Sequence, residues 1–354
     1  MQTETTTAQT SFINKKSIAI IILVIILASL LGGYFFWWKK TPRYSLGLLQ
    51  NAIKTHDLVL FKKHFDVDTF SNKFVDYIFS QASDSEDVKN NPIAQSFING
   101  FINNMKPKLV SVLNTEIQNL VETGSIGKKE DQSVDNNAIS PEKLTENTRF
   151  TKSEIKGIEY TKTDGKTAFV GVKLYDSQLQ QSFIIEVKMH ELEDGTWQVS
   201  EISNFKEYMD NVTKAKETKL AELNKPISDQ INSAISIGQL ELKRQQKNSF
   251  AHVFIVSTPL EFLSEQSIIE VAGVIRITDS QGKVILESTT LSKGSSYKGK
   301  KGVINYSLDI NPFIPSQKAV IDIPVNELSA KFTITSIKFA DGSERKLLKD
   351  LPNS

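Results

Sequence analysis

Cysteine is absent from this 354-residue chain. That excludes disulfide frameworks, thiolate zinc sites and cysteine nucleophiles. Histidine is scarce, at four residues: His56, His64, His190 and His252. No two of them have the i, i+4 spacing of a helical metal site or the i, i+2 spacing of one on a strand. Neither sign of charge dominates, since 42 Lys+Arg balance 41 Asp+Glu. Such a balance argues against a nucleic-acid groove or a basic membrane-hugging surface. The glycines form neither G-x-G-x-x-G nor a P-loop, and no G-x-S-x-G elbow occurs. Asp66-Val67-Asp68 opens like a calcium loop but lacks the glycine and the closing glutamate. Capping of a helix that starts at Thr69 accounts for Asp68 instead. The residues therefore name no catalytic group, no metal ligand and no cofactor.

Charge is also missing from one long stretch. Ser17 to Trp38 reads SIAIIILVIILASLLGGYFFWW, 22 residues, and as a helix rises about 33 Å, enough to cross a hydrocarbon core. Lys15 and Lys16 precede it. Phe35, Phe36, Trp37 and Trp38 close it, and Lys39, Lys40 and Arg43 follow, as at a bilayer exit. Few soluble helices run so far without a charge. A cleaved signal peptide has a shorter apolar region and a small-residue site, which Leu31-Gly32-Gly33 imitates poorly. The expectation is an uncleaved transmembrane helix over 17–38. It makes the chain a single-pass cell-membrane protein whose partner there is the lipid bilayer. Residues 1–16 are polar and Thr-rich, the composition of a disordered tail. The flanking basic residues lean slightly toward a cytoplasmic main body.

After Thr41-Pro42 the apolar spacing is helical. It predicts helices over Tyr44–Lys54, after Asp57, from Asp68, and from Pro92, with Pro107 kinking or splitting the last. Residues 122–148 are rich in Gly, Lys, Asp and Ser, a mobile loop inside a domain. From Phe150 the period becomes two. Strands over Ile155–Thr161, Ala168–Leu174, Phe183–Met189 and Trp197–Ile202 alternate with Asp164-Gly165 and Asp194-Gly195 turns. This is an α+β, roll-like domain over 41–225. Lys206–Lys225 reads as a charged spacer helix that Pro226 interrupts, leaving a linker helix over 226–236. From 237 to 354 seven short strands predict an all-β, immunoglobulin-like sandwich. They are Gly238–Lys243, Phe250–Ser257, Ile268–Asp279, Val284–Leu291, Val303–Ile310, Ala319–Ile323 and Lys331–Phe339.

The order of membrane helix, Tyr44, Ala52-Ile53, His56-Asp57 and Phe65-Asp66-Val67-Asp68 resembles a bacterial family of membrane-anchored proteins of unknown function, over about residues 15–80. The ending Asp194-Gly195-Thr196-Trp197-Gln198-Val199 is similar to the last strands of nuclear-transport-factor-like or cystatin-like rolls. Asp279-x-x-Gly282-Lys283-Val284 and Ile337–Ser343 look like immunoglobulin-like modules of bacterial envelope proteins. The resemblance implies export, with the bulk of the chain extracytoplasmic, and a non-catalytic role. It transfers no site residues.

The expected function is thus that of a single-pass membrane-anchored envelope protein, a non-catalytic module that binds another envelope protein or a cell-wall component, and no nucleic acid. In an alternative reading, Tyr160, Phe169, Tyr175 and Trp197 line the mouth of the roll as a cup for a small molecule or lipid, with ordinary core packing as the competing explanation. A hydrolase assembled from scattered residues is a third reading.

Overall fold

The computed structural model describes residues 37–83, 92–124, 148–247, 252–311, 317–318, 321 and 323–352. The fold class expected from the sequence is corrected by it. Among the described residues no helix is long and apolar enough to cross a membrane. The two longest helices, Pro92–Thr123 and Phe205–Ala234, are too polar: the first carries Asn103, Asn104, Lys106 and Lys108, and the second a charge in nearly every turn. Of the segment 17–38 only Trp37 and Trp38 are described, in a helical turn closed by the Lys40 and Thr41 amides. The rest of it, the tail 1–16 and the loop residues 125–147 lie outside the described residues. The described chain is a mixture of helices with three four-stranded antiparallel sheets.

Four helices come first: α1 (Pro42–Thr55), α2 (Leu58–His64), α3 (Val67–Ser83) and α4 (Pro92–Thr123). Thr41 and Asp57 cap α1 and α2 by accepting from Tyr44 and Leu60 N–H. The cap of α3 is Asp66, not Asp68: its carboxylate accepts from the Thr69 N–H at 3.0 Å and the Thr69 hydroxyl at 2.7 Å. Asp68 sits one step inside and receives the Asn114 amide instead. Helix α4 is not split by Pro107, which lies on its exposed side while Leu109 and Leu113 remain buried.

Strands β1 (Ser153–Asp164), β2 (Thr167–Asp176), β3 (Gln181–Glu191) and β4 (Trp197–Ile202) form the first sheet in that order. Helices cover one face of it. Ala168, Val170, Leu174, Phe183, Val187, Met189, Trp197 and Val199 point into the helices. Rings continue the packing from α2 to the next helix: Phe61, Phe65, Phe70, Phe74 and Phe205 follow one another with centroids 4.9–6.3 Å apart.

Helix α5 (Phe205–Ala234) runs through Pro226 without a break. Both sides of that proline are held. Phe205, Tyr208, Val212 and Ala215 are buried in the first core, and Ile231 and Ala234 in the second. The expected charged spacer is therefore a helix shared by two cores. Burial at both ends outweighs the hydrogen bond that Pro226 cannot make.

The second core lies between two sheets. One contains β7 (His252–Phe262) paired with β10 (Lys301–Ile310) on one side and with β5 (Ile235–Ile237) and β6 (Glu241–Gln246) on the other. The second has the order β12 (Glu344–Lys346), β11 (Ser329–Phe339), β8 (Ile268–Thr278), β9 (Val284–Ser296). Phe254 and Val256 of β7, Leu308 of β10, Ile275 and Ile277 of β8 and Ile337 of β11 meet in the middle. A bulge between Ile268 and Glu270 breaks the alternation, so Ile268 is buried and Ile269 half-buried. Of the expected strand Ala319–Ile323, Ile321 is helical and Ile323 lies in a bend, while 319, 320 and 322 lie outside the described residues.

The last residues return along α5. The Asn224 amide donates to Leu348 O at 3.0 Å and accepts from Leu348 N–H at 2.7 Å, Lys216 pairs with Asp350, and Leu351 packs on the first core. Gln178 donates to Pro352 O at 2.5 Å. We expect Asn224→Ala to lower stability by about 1–2 kcal/mol, because it strands two half-buried backbone groups of Leu348. An unchanged urea midpoint would show that this strap contributes nothing.

Candidate functional site

Strand β4 is short. It pairs with Val187–Glu191 of β3 and leaves the first half of β3, Gln181–Glu186, without a neighbouring strand on that side. The outer edge of β4 is itself occupied, by the Phe65–Val199 bridge and the Asp66 N–H to Val199 O bond. At Ile202 the chain turns away into α5, and Ser203 and Asn204 close the next step of the β3 edge by hand. Ser203 N–H donates to Glu186 O. The Asn204 side chain accepts from Glu186 N–H at 2.7 Å and donates to Ile184 O at 3.0 Å, imitating a strand. Asn204 stands at the N-terminus of α5, yet its side chain makes no cap there.

The imitation ends at Ile184 O. Register between β2 and β3 has no shift, so backbone direction alternates along β3. Glu186 faces the edge, and therefore the Ile184 N–H and both backbone groups of Ser182 face it too. These groups open into a cleft of about 460 Å³ between β3 and α5, whose walls include Tyr160, Glu186, Asn204, Glu207 and Asn211. A second cleft of about 460 Å³ continues along α5 past Lys214, Thr218 and Glu222, and shares Gln181 and Asn211 with the first. From Glu207 to Glu222 the helix rises about 22 Å, the length of six or seven extended residues.

The rim is rigid. Arg149 and Asp176 are buried and form a two-pronged ion pair, through Nε to Oδ2 and through Nη2 to Oδ1 at 3.0 Å. The Asp176 carboxylate also accepts from the Gln178 and Leu179 amides, both at 2.9 Å, which shapes the turn into β3. Burial alone would raise the Asp176 pKa, but the guanidinium and the two amides hold it below the usual carboxylate range. Tyr208 donates to Thr148 O at 2.6 Å and its ring stacks on Phe150, so α5 is tied to the segment that carries Arg149.

On the outer wall the Tyr160 ring lies over Gly171. A Cβ there would come within 2.4 Å of the ring, so glycine is required for the close approach. The Tyr160 hydroxyl donates to Glu186 at 2.8 Å. Burial, that bond and the charges of Glu186 and Glu207 push the phenol up to about 12. The Ser203 hydroxyl, at 2.7 Å, is the main cause holding Glu186 below its ordinary value.

Of the four aromatic residues singled out in the sequence, Tyr160 alone is on this wall. Phe169 and Tyr175 share the outer face of the sheet, opposite Lys162 and Glu154, away from the cleft. Trp197 is on the opposite, helix-covered face. It is buried, with its indole N–H donating to Lys40 O and its backbone N–H to the Ser45 hydroxyl. The four do not converge on one cup. Sequence reasoning missed Ser182, Ile184, Glu186, Asn204 and Glu207. No signal in the sequence marked them: the expected strands Phe183–Met189 and Trp197–Ile202 are nearly equal in length, whereas β3 has 11 residues and β4 has 6.

The histidines have separate places. His56 Nδ1 is 2.7 Å from Val121 O, and buried His64 Nδ1 is 2.8 Å from Trp197 O. Among the described residues no group of three or more His, Asp or Glu is placed to hold a metal ion.

No family model and no curated protein matches the chain. Among solved structures, a crystal structure described as the ApaA protein of Bordetella pertussis is similar over 32% of this chain and 88% of its own, at 11% identity and a TM-score of 0.21. A likeness at that level carries no argument about fold or function.

Proposed function

We propose that this chain is a non-catalytic binding module that takes up an extended peptide segment by strand addition along the free half of β3. The observation that carries the reading is the uncompleted ladder: Ile184 N–H and Ser182 N–H and C=O face a groove of strand length. Recognition of this kind uses main-chain bonds for affinity and side-chain pockets for selectivity. Each such bond is worth about 1 kcal/mol net. A micromolar complex needs about 8 kcal/mol, so the groove walls must supply most of the binding energy.

A random nonapeptide library displayed on phage and selected on the full-length chain tests this. Enriched peptides, titrated as synthetic nonapeptides, are expected to lose at least tenfold in affinity against Ile184→Pro. Proline there removes an N–H that pairs with nothing inside the sheet, so the fold is expected to tolerate it. Ser182→Pro is the second variant, and either must retain the far-ultraviolet dichroism of the parent. No enrichment, or equal binding to both proline variants, overturns the reading. So does self-association of the chain that the proline variants abolish.

A further inference from the structure

The same groove points to the chemistry of what it holds, an inference that rests on the strand-addition reading. We propose that the cleft at the N-terminal end of α5 selects a basic side chain, Lys or Arg, on the bound segment, seated between the carboxylates of Glu186 and Glu207.

The charged side chains that line the cleft are of one sign. Both carboxylates line the cleft, and no Lys or Arg does. The donors beside Glu186 are already engaged, while the free Ile184 and Ser182 N–H groups lie along the strand edge and face the backbone of a bound segment. Both N–H bonds of the wall, Ser203 and Asn204, go to β3, and the Tyr160 hydroxyl and Ser203 hydroxyl both donate to Glu186. The two faces of the Tyr160 ring are taken as well, one over Gly171 and the other under Lys162, whose ammonium is 4.9 Å from the ring centroid. At the α5 end of the cleft the acceptors with capacity to spare are lone pairs of Glu186, the phenol oxygen of Tyr160 and the whole carboxylate of Glu207. Among the described residues Glu207 has no ion-pair or hydrogen-bond partner. It lies in the first turn of α5, where the helix end favours its negative charge. A wall that offers acceptors and two negative charges complements a donor-rich cation and repels an acidic side chain.

The cationic groups of the groove stand elsewhere. Lys214 and Lys219 belong to the neighbouring cleft, and Lys219 is paired with Glu222 at 3.2 Å. Lys214 is seven residues beyond Glu207, about 10 Å along the helix axis. A basic side chain seated at Glu186 and Glu207 therefore meets no cation in the lining of its own cleft; Lys162, held over the Tyr160 ring, bears on Glu186 through its charge alone.

The test is a selection from the random nonapeptide library on the parent chain and on Glu207→Lys in parallel. Titration of synthetic peptides that differ only at the enriched position follows. The parent is expected to enrich Lys or Arg at one position, to bind the Arg peptide at least tenfold more tightly than its Ala counterpart, and to lose that preference as salt is raised. Glu207→Lys is expected to abolish or invert the preference, and Glu207→Gln to weaken it. Peptides that bind, are blocked by Ile184→Pro and show less than a twofold Arg-to-Ala difference overturn the basic-residue inference and leave strand addition standing. Failure to find any peptide sensitive to Ile184→Pro overturns both.

Discussion

Asp176→Ala is expected to cost the protein about 3–5 kcal/mol, because it leaves the buried Arg149 guanidinium without its partner. The carboxylate has three tasks, pairing with Arg149 and accepting from the Gln178 and Leu179 amides, and alanine performs none of them. The expected phenotype is a lower urea midpoint together with weaker peptide binding, since the turn that launches β3 loses its anchor. Asp176→Asn keeps the shape and loses the charge, so its cost is expected to be smaller. The pH dependence follows from the depressed pKa of Asp176. A carboxylate whose folded pKa lies below its unfolded value, about 3.9, contributes stability that is complete above that value. It is lost as pH falls through the folded pKa. The gap in urea midpoint between parent and Asp176→Asn should therefore be constant from pH 7 to about pH 5 and narrow in more acidic solution. A gap that widens on acidification would contradict the ion pair as described.

The second large effect is expected from Phe254→Ala in the two-sheet core. Phe254 is fully buried among Val256, Ile275, Ile277 and Leu308. Removing a buried phenylalanine ring costs about 3–5 kcal/mol through lost transfer energy and the cavity left behind. The informative feature is where the loss is felt. Tryptophan occurs only at 37, 38 and 197, so tryptophan emission reports the helical–sheet unit, while dichroism reports both. Helix α5 has its two ends in the two cores, and the strap from Leu348 to Pro352 crosses back to Gln178. The tryptophan curve is therefore expected to shift with the dichroism curve. An unmoved tryptophan midpoint would mean that the two units unfold independently and that α5 is a mere connector.

Much of the strand and helix order was readable because its signals are local. Alternation of Ala168, Val170, Val172 and Leu174 needs no partner to be recognised, and the left-handed φ of 54° at Gly165 follows from the Asp164-Gly165 turn itself. Where the reading failed, a distant partner had decided. Asp66 and Asp68 are equally good caps in isolation, and Asn114, 46 residues away, takes one of them. Pro226 looks like a break until Ala215 and Ile231 are seen buried in different cores. Trp197 belongs with Tyr160 by residue type, but strand alternation puts them on opposite faces of the sheet.

By itself the sequence determined the absence of thiol chemistry, most of the order of helices and strands among the described residues, and the Asp-Gly turns between strands, because each depends on residues within a few positions of one another. The tertiary structure alone decided that β4 falls short of β3, that Asn204 completes one step of the missing edge, and that two carboxylates from different elements face the gap. Those facts arise from pairing between segments far apart in the chain, and no local pattern encodes which backbone groups a neighbouring strand will leave unpaired.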